Sequence, residues 1–133
     1  MVLVKTKLGM SKTHGVGLFA DQFIPKGAKT YQYTPGIDID YSEADLAKMS
    51  EPARKQVLWY AYMNKEGDKY ILCADDYRFI NHSQNPVNVN IEATPDRDIA
   101  ARDIKKGEEL LCNYNKFDPT YFKRLNIKEA DLI

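Results

Sequence analysis

Three short stretches of this 133-residue chain carry groups able to do chemistry. Asn81-His82-Ser83 sets an amide, an imidazole and a hydroxyl side by side, directly after the apolar step Phe79-Ile80. Gly107-Glu108-Glu109 opens a run, Leu110-Leu111-Cys112-Asn113, that closes on the phenol of Tyr114. Near the start, His14-Gly15-Val16-Gly17 leaves main-chain groups open to close approach. Taken singly, each has a plain structural explanation. Asn-His-Ser can be a polar turn whose side chains satisfy neighbouring backbone. A Tyr ending a strand commonly packs its ring and leaves its hydroxyl in water or on a carbonyl. Two glycines around one residue make a tight turn, and without a third glycine and a following helix they are no dinucleotide fingerprint. Cys73 and Cys112 lie in apolar runs with no Cys or His at ligand spacing. No zinc site is predicted from them, and they read as two buried thiols in a reducing compartment.

The elements that must position these groups are short strands. Val2-Leu3-Val4 and Gly17-Leu18-Phe19-Ala20 are strand candidates, and Thr30-Tyr31-Gln32-Tyr33 resumes β-type alternation after the turn Pro25-Lys26-Gly27. Ser42 to about Lys55 is helical by spacing, with Ser42 as cap, Asp45 at the capping-box position and Leu46, Met49, Ala53 and Val57 in phase. Pro52 must break or restart that helix, with Ser50 as a second cap. Leu58 to Met63 reads as a strand or as the end of the helix, and Lys69 to Cys73 as a strand after a turn. Further strands are predicted at Val87–Ala93, Asp98–Ala101 and Glu109–Cys112. Ile24-Pro25-Lys26-Gly27 and Ile104-Lys105-Lys106-Gly107 echo one another as turn chemistry, not as a true repeat. The expected fold class is mainly β with a helical insert.

Composition narrows the class. At 15.3 kDa the chain makes one domain, and 44% hydrophobic with 29% charged residues is ordinary for a globular protein, which excludes wholesale disorder. Lys+Arg and Asp+Glu are 19 each, so the basic excess of a general nucleic-acid binder is missing. Met1-Val2-Leu3-Val4-Lys5 is too short an apolar run for a signal peptide, and no stretch is long enough to span a membrane. The expectation is a soluble intracellular protein, cytoplasmic if its source is a prokaryote.

Taken together and in this order, Gly15-Val16-Gly17-Leu18-Phe19-Ala20, Arg78-Phe79-Ile80-Asn81-His82-Ser83 and Gly107-Glu108-Glu109-Leu110 through Tyr114 resemble the motifs of SET-domain protein-lysine methyltransferases. The resemblance spans roughly Lys5 to Phe117, without the cysteine-rich zinc segments that flank many members. It implies a β-clip of small sheets with a threaded pseudo-knot, residues 1–133 forming one SET domain. Its core is about 5–117, and 118–133 are a tail that closes the site or packs on it. It implies S-adenosylmethionine as cofactor, with Gly15, Val16 and Gly17 approaching it through their backbone and Asn81, His82 and Phe117 binding it. Tyr114 matches the catalytic tyrosine, and Tyr33, with Tyr31, matches the aromatics of the lysine channel. Pro86 is followed by Val87 where the family continues with Asn, which places Asn88 one position late.

The implied reaction is attack of a lysine ε-amine on the sulfonium methyl of the cofactor. The amine must first be neutral, at a cost of about 4.6 kcal/mol at pH 7 for an unperturbed lysine. An aromatic-lined apolar channel lowers that cost by disfavouring the ammonium. The partner implied is a protein with a target lysine, histone or histone-like proteins among the candidates, a nuclear location following if it acts on chromatin, with a homodimer open and no nucleic acid or membrane expected. The alternative is a catalytically inactive SET-like module that binds a peptide or protein partner.

Overall fold

The computed structural model describes residues 1–132, built from short strands with one helical insert. In chain order these are β1 (Thr6–Met10), β2 (Val16–Ala20), β3 (Lys29–Gln32), β4 (Asp38–Tyr41), α1 (Glu43–Ala47), α2 (Glu51–Tyr60), β5 (Tyr62–Met63) and β6 (Tyr70–Cys73). There follow β7 (Asn81–His82), β8 (Ile91–Ala93), β9 (Arg97–Ala100), β10 (Leu111–Cys112) and α3 (Tyr121–Leu125). They gather into a β1-β2 hairpin, a three-stranded sheet ordered β4-β6-β5 and a five-stranded sheet ordered β3-β9-β8-β10-β7. The last strand in sequence, β10, lies parallel between β7 and β8, which precede it by some thirty and twenty positions. That insertion is the threaded feature expected of the fold.

The helical insert follows its capping signals. Ser42 and Asp45 form a reciprocal capping box at the start of α1, and Ser50 accepts from Ala53 N–H at 3.4 Å to start α2. Pro52 stands in the first turn of α2, where no helical hydrogen bond is lost. Residues Leu58 to Tyr60 finish α2 and only Tyr62–Met63 is strand, so the helix-end reading of that aromatic run prevails. Of Val2-Leu3-Val4, only Val2 forms a bridge, to Tyr31, and the first strand lies further on because Thr6–Met10 has Val16–Ala20 to pair with. Val87 to Asn90 is turn and loop, leaving Ile91–Ala93 as the strand. Asp38–Tyr41 is a strand that local alternation did not reveal; it pairs with β6 along its length.

The two Ile-x-Lys-Gly turns meet each other. Ile24 and Ile104 exchange both main-chain hydrogen bonds at 2.9 and 2.8 Å, and neither is exposed. Gly27 N–H donates to Ala100 O while Gly107 N–H donates to Ala20 O, both at 2.8 Å. Ala100 N–H donates to Ala28 O and Ala20 N–H to Glu108 O, both at 2.9 Å. Each of these main-chain bonds recurs with an eighty-residue offset, so the pair forms a local pseudo-two-fold corner, to which Lys26 N–H adds a bond to Asp103 Oδ1 at 2.8 Å. Gly27 and Gly107 have φ of +83° and +92°, which explains glycine at both turns. This corner belongs to the main core with Leu18, Ile91, Leu110 and Cys112; Leu46, Ala61 and Tyr70 centre a second cluster under the helices.

Candidate functional site

One cavity of about 170 Å³ collects the segments singled out in the sequence. Gly15 enters it from the loop before β2 and Val16 from the start of β2, Asn81 and His82 from β7, Tyr114 and Phe117 from beyond β10, and Tyr31 from β3. Gly15 has φ of +53° and open space where a side chain would stand, so its backbone is bare toward the cavity.

Asn81 ties three of these segments together. Its amide nitrogen donates to His14 O at 2.9 Å, to Val16 O at 3.1 Å and to Glu109 Oε1 at 3.0 Å. Gly17 does not line the cavity. A Cβ there would strike the Glu109 carboxylate, so glycine leaves the space in which Glu109 reaches Asn81. The glycine loop, the Asn-His pair and the Gly-Glu-Glu segment before β10 are thus held by one interlocked set of contacts.

Tyr114 is positioned by the same pair. Its N–H donates to His82 Nδ1 at 3.0 Å and its hydroxyl donates to Ile80 O at 2.6 Å. His82 is 1% exposed, and its Nε2 meets Glu129 Oε1 at 2.6 Å. Because Nδ1 accepts, the proton sits on Nε2 and the ring is the neutral tautomer. Burial lowers the His82 pKa from the usual 6.5, outweighing the opposing pull of Glu129. Burial also raises the Tyr114 pKa well above 10, so its phenol is un-ionised. Its hydrogen is directed to Ile80, which leaves the oxygen lone pairs free. Phe117, Tyr121 and Phe122 pack around the ring at centroid distances of 6.0, 4.9 and 6.3 Å.

The opposite wall is richer in polar groups than the sequence reading foresaw. Tyr31 is buried and stacks on Tyr77 at 4.8 Å, and its hydroxyl lies 3.1 Å from that of Tyr62. Tyr77 donates to Asp98 Oδ2 at 2.9 Å and is 2.9 Å from Thr30 Oγ1. Asp98 is 5% exposed, and burial raises its pKa from 3.8 to about 7. The end of α2 brings Trp59 and Tyr60 to the rim, where Arg78 lies 5.0 Å over Phe79 and 5.9 Å over Tyr60. Arg78 Nε is buried and has no hydrogen-bond partner among the described residues. Tyr33 stands outside: its hydroxyl donates to Asp40 at 2.8 Å on the surface.

The tail forms part of the wall. Arg124 bridges Asp118 Oδ2 and Ala61 O at 2.5 Å each, Tyr121 donates to Trp59 O at 2.7 Å, and Leu132 reaches the cavity. Pro86 and Val87 lie on an exposed turn away from it, as does Asn88. Asp98 could have been found by period-two reading, since it shares the inward face of β9 with Ala100. Trp59 carried no such signal, because only the fold brings the end of α2 to the Asn-His segment, whereas Arg78 opens the motif that ends on Asn81-His82-Ser83.

A mainly β fold of three small sheets, a strand inserted between two earlier ones and a tyrosine beside an Asn-His pair define a class of protein. The SET-domain family model matches residues 15–115, and the chain belongs to that family. Its fold is that of the SET-domain lysine methyltransferases. Among solved structures, the chain is similar to the Polycomb Repressive Complex 2 of Chaetomium thermophilum bound to the inhibitor GSK126, at 24% identity and a TM-score of 0.66 over 92% of this chain. It is also similar to that complex in an autoinhibited conformation bound to S-adenosylmethionine, at 24% identity and a TM-score of 0.64 over 93% of this chain. An active polycomb repressive complex 2 in the basal state matches at 26% identity and a TM-score of 0.59 over 84% of this chain. The chain spans 17%, 17% and 15% of the matched chains. No curated protein matched the sequence. Among the described residues no helix is long and apolar enough to cross a membrane, and no group of three or more His, Cys, Asp or Glu could hold a metal ion.

Proposed function

We propose that the chain transfers a methyl group from S-adenosylmethionine to the ε-amine of a lysine in a protein. The observation that carries this reading is the convergence on one cavity of Gly15, Asn81 and a neutral, half-buried Tyr114, residues from three distant segments.

The residues present fit such a cofactor. Its carboxylate calls for a cation, and Arg78 offers a buried Nε that nothing else engages. Its ammonium calls for acceptors, and the Asn81 Oδ1 accepts no hydrogen bond from the described residues while the amide nitrogen holds the glycine loop in place. Its sulfonium suits aromatic faces, which Tyr62, Tyr114 and Phe117 supply. When bound, S-adenosylmethionine supplies an electrophilic methyl group.

The remaining work falls to side chains of this protein. The aromatic walls exclude water and disfavour an ammonium, which lowers the cost of presenting a neutral amine. The Tyr114 oxygen, its hydrogen committed to Ile80, faces the cavity with lone pairs that align a polarised methyl group or an incoming N–H. His82 sets the Tyr114 backbone and holds no exchangeable role in the reaction. A protein substrate, with histone or histone-like proteins among the candidates, accords with a lysine side chain as the only part that need enter.

Calorimetric titration of S-adenosylmethionine and S-adenosylhomocysteine into the purified chain, with Asn81→Ala as control, tests the reading. Saturable binding lost in the variant is expected, followed by labelled-methyl transfer to core histones or extract proteins. A folded wild-type chain that binds neither compound would overturn it and leave the inactive binding module in its place.

A further inference from the structure

Two acids line the cavity: Asp118 is paired with Arg124, and Asp98 is the one without a cation. Asp98 projects from β9 into the wall opposite Tyr114, nine-tenths or more buried, with no cation paired to it. Burying a carboxyl with a tyrosine hydroxyl and the Thr94 backbone as its hydrogen-bond partners, and no cation beside it, is costly. Its partner Tyr77 donates to Oδ2 and is itself backed by Thr30, so the carboxyl is held in one orientation.

Resting on the methyltransferase reading above, we infer that Asp98 is the acceptor that takes the proton from the substrate lysine's ammonium inside the cavity. In this step one N–H bond of the ammonium breaks, the proton passes to a carboxylate oxygen of Asp98, and nitrogen keeps the electron pair that attacks the methyl group. An ion pair becomes a neutral amine and a neutral acid. In water that exchange is uphill, because lysine is the weaker acid. In an aromatic cavity it is favoured, since both charges vanish where charge is poorly solvated. The ionised acid also supplies the attraction that draws a lysine head past Tyr31 and Tyr62. Burial places Asp98 close to half ionised at neutral pH, which suits a group that must accept and then release a proton.

The titratable and charged groups around Asp98 are Tyr77, Tyr62 and Tyr31 from three elements, Cys112 from β10, and the distant Met1 ammonium, which lowers its pKa slightly. The tyrosines and the thiol have pKa values raised by burial, so Asp98 alone among them titrates near neutrality.

The experiment measures methyl transfer from labelled S-adenosylmethionine to purified core histones from pH 6 to 9, alongside cofactor affinity by calorimetry. Wild-type kcat is expected to rise to a plateau near pH 7. Asp98→Asn, an isostere that still accepts from Tyr77, should bind the cofactor as the wild type does. It should lose about tenfold or more in kcat at pH 7, and its rate should keep climbing with pH where the wild type levels off. Tyr77→Phe keeps the ring stack and removes a hydrogen bond that lowers the Asp98 pKa, so its plateau should move to higher pH. Asp98→Asn with wild-type turnover and an unchanged pH profile would overturn the inference. A wild-type chain that binds cofactor yet methylates no lysine would overturn instead the reading beneath it.

Discussion

The corner where Ile24 meets Ile104 and the cavity around Tyr114 are held together in opposite ways. At the corner most bonds are main chain to main chain, with Lys26 N–H to Asp103 and Lys105 N–H to Glu108 the side-chain additions; the two isoleucines are fully buried, and glycine supplies the only unusual φ values. In the cavity the bonds run through side chains: Asn81 to two carbonyls and Glu109, His82 to Tyr114 and Glu129, Tyr77 to Asp98. Main-chain bonds tolerate many side chains, whereas these require particular ones. The cavity also keeps a buried arginine nitrogen unpaired and an acid without a cation. Such groups cost stability that apolar packing elsewhere must offset. The corner is where the fold is secured, and the cavity is where it is strained toward chemistry.

Removing packing from the corner gives the largest expected effect. Ile104→Ala should lose about 2–5 kcal/mol of stability in denaturant unfolding, because the cavity left cannot collapse between paired turns. Cofactor affinity, measured well below the melting point, should stay at the wild-type value. A fall in affinity that tracks the stability loss would show the two regions to be one cooperative unit. At the other pole, Tyr114→Phe should cut turnover by about 10²–10³-fold, the scale of losing one oriented polar group at the reacting centre. Cofactor binding should be nearly intact, and single-turnover kinetics with calorimetry separate the two. Wild-type turnover would remove Tyr114 from the reaction.

Asp98→Asn should move stability the other way. The folded pKa is raised from 3.8 to about 7, so the native state holds a proton that the unfolded state has released. Stability contributed by this group therefore falls as pH rises from about 4 to 7 and stays lost above. The neutral variant should be more stable than wild type at pH 8 by roughly 1–4 kcal/mol, with the difference gone below pH 4. Urea titrations at the two pH values check it. Equal stability at pH 8 would mean that the carboxylate is better solvated than its burial implies. One region would then lose stability without losing function, and the other would gain stability by losing it.

That contrast also governs what the sequence revealed. Ser42, Asp45, Ser50 and Pro52 announced the broken helix because caps and proline act within a few residues. Asn81, His82 and Tyr114 stood out as local motifs, and the structure brings them to one cavity with Gly15 and Val16. Two-residue strands such as β7 and β10 have no periodicity to read, since partners far along the chain create them. The reciprocal bonding of the two Ile-x-Lys-Gly turns is of the same kind. Tyr33 matched the channel pattern in sequence, yet its neighbour Asp40 holds it at the surface. Tyr31, two places earlier on the same alternation, is the one turned inward.

The smallest expected effect lies where the tail meets the cavity. His82 is neutral, with Nδ1 accepting from Tyr114 and Nε2–H donating to Glu129. Its folded pKa lies below 6.5, so its contribution to stability is complete above pH 6.5. It declines as pH falls from there toward the folded value, where the unfolded chain takes up a proton that the native ring refuses. Glu129 opposes this by raising the His82 pKa. Glu129→Gln keeps an oxygen acceptor and removes the charge, so the folded pKa drops further and the acid-side loss extends to lower pH. At pH 8 the change should cost about 1 kcal/mol, the difference between a charge-assisted and a neutral hydrogen bond. At pH 5 the gap to wild type should widen, because only the native wild type then gains from an anion beside the imidazole. Unfolding curves that stay parallel at both pH values would show that His82 does not feel the Glu129 charge. The tail would then be a packed lid on the Tyr114 wall, with no electrical part in holding it.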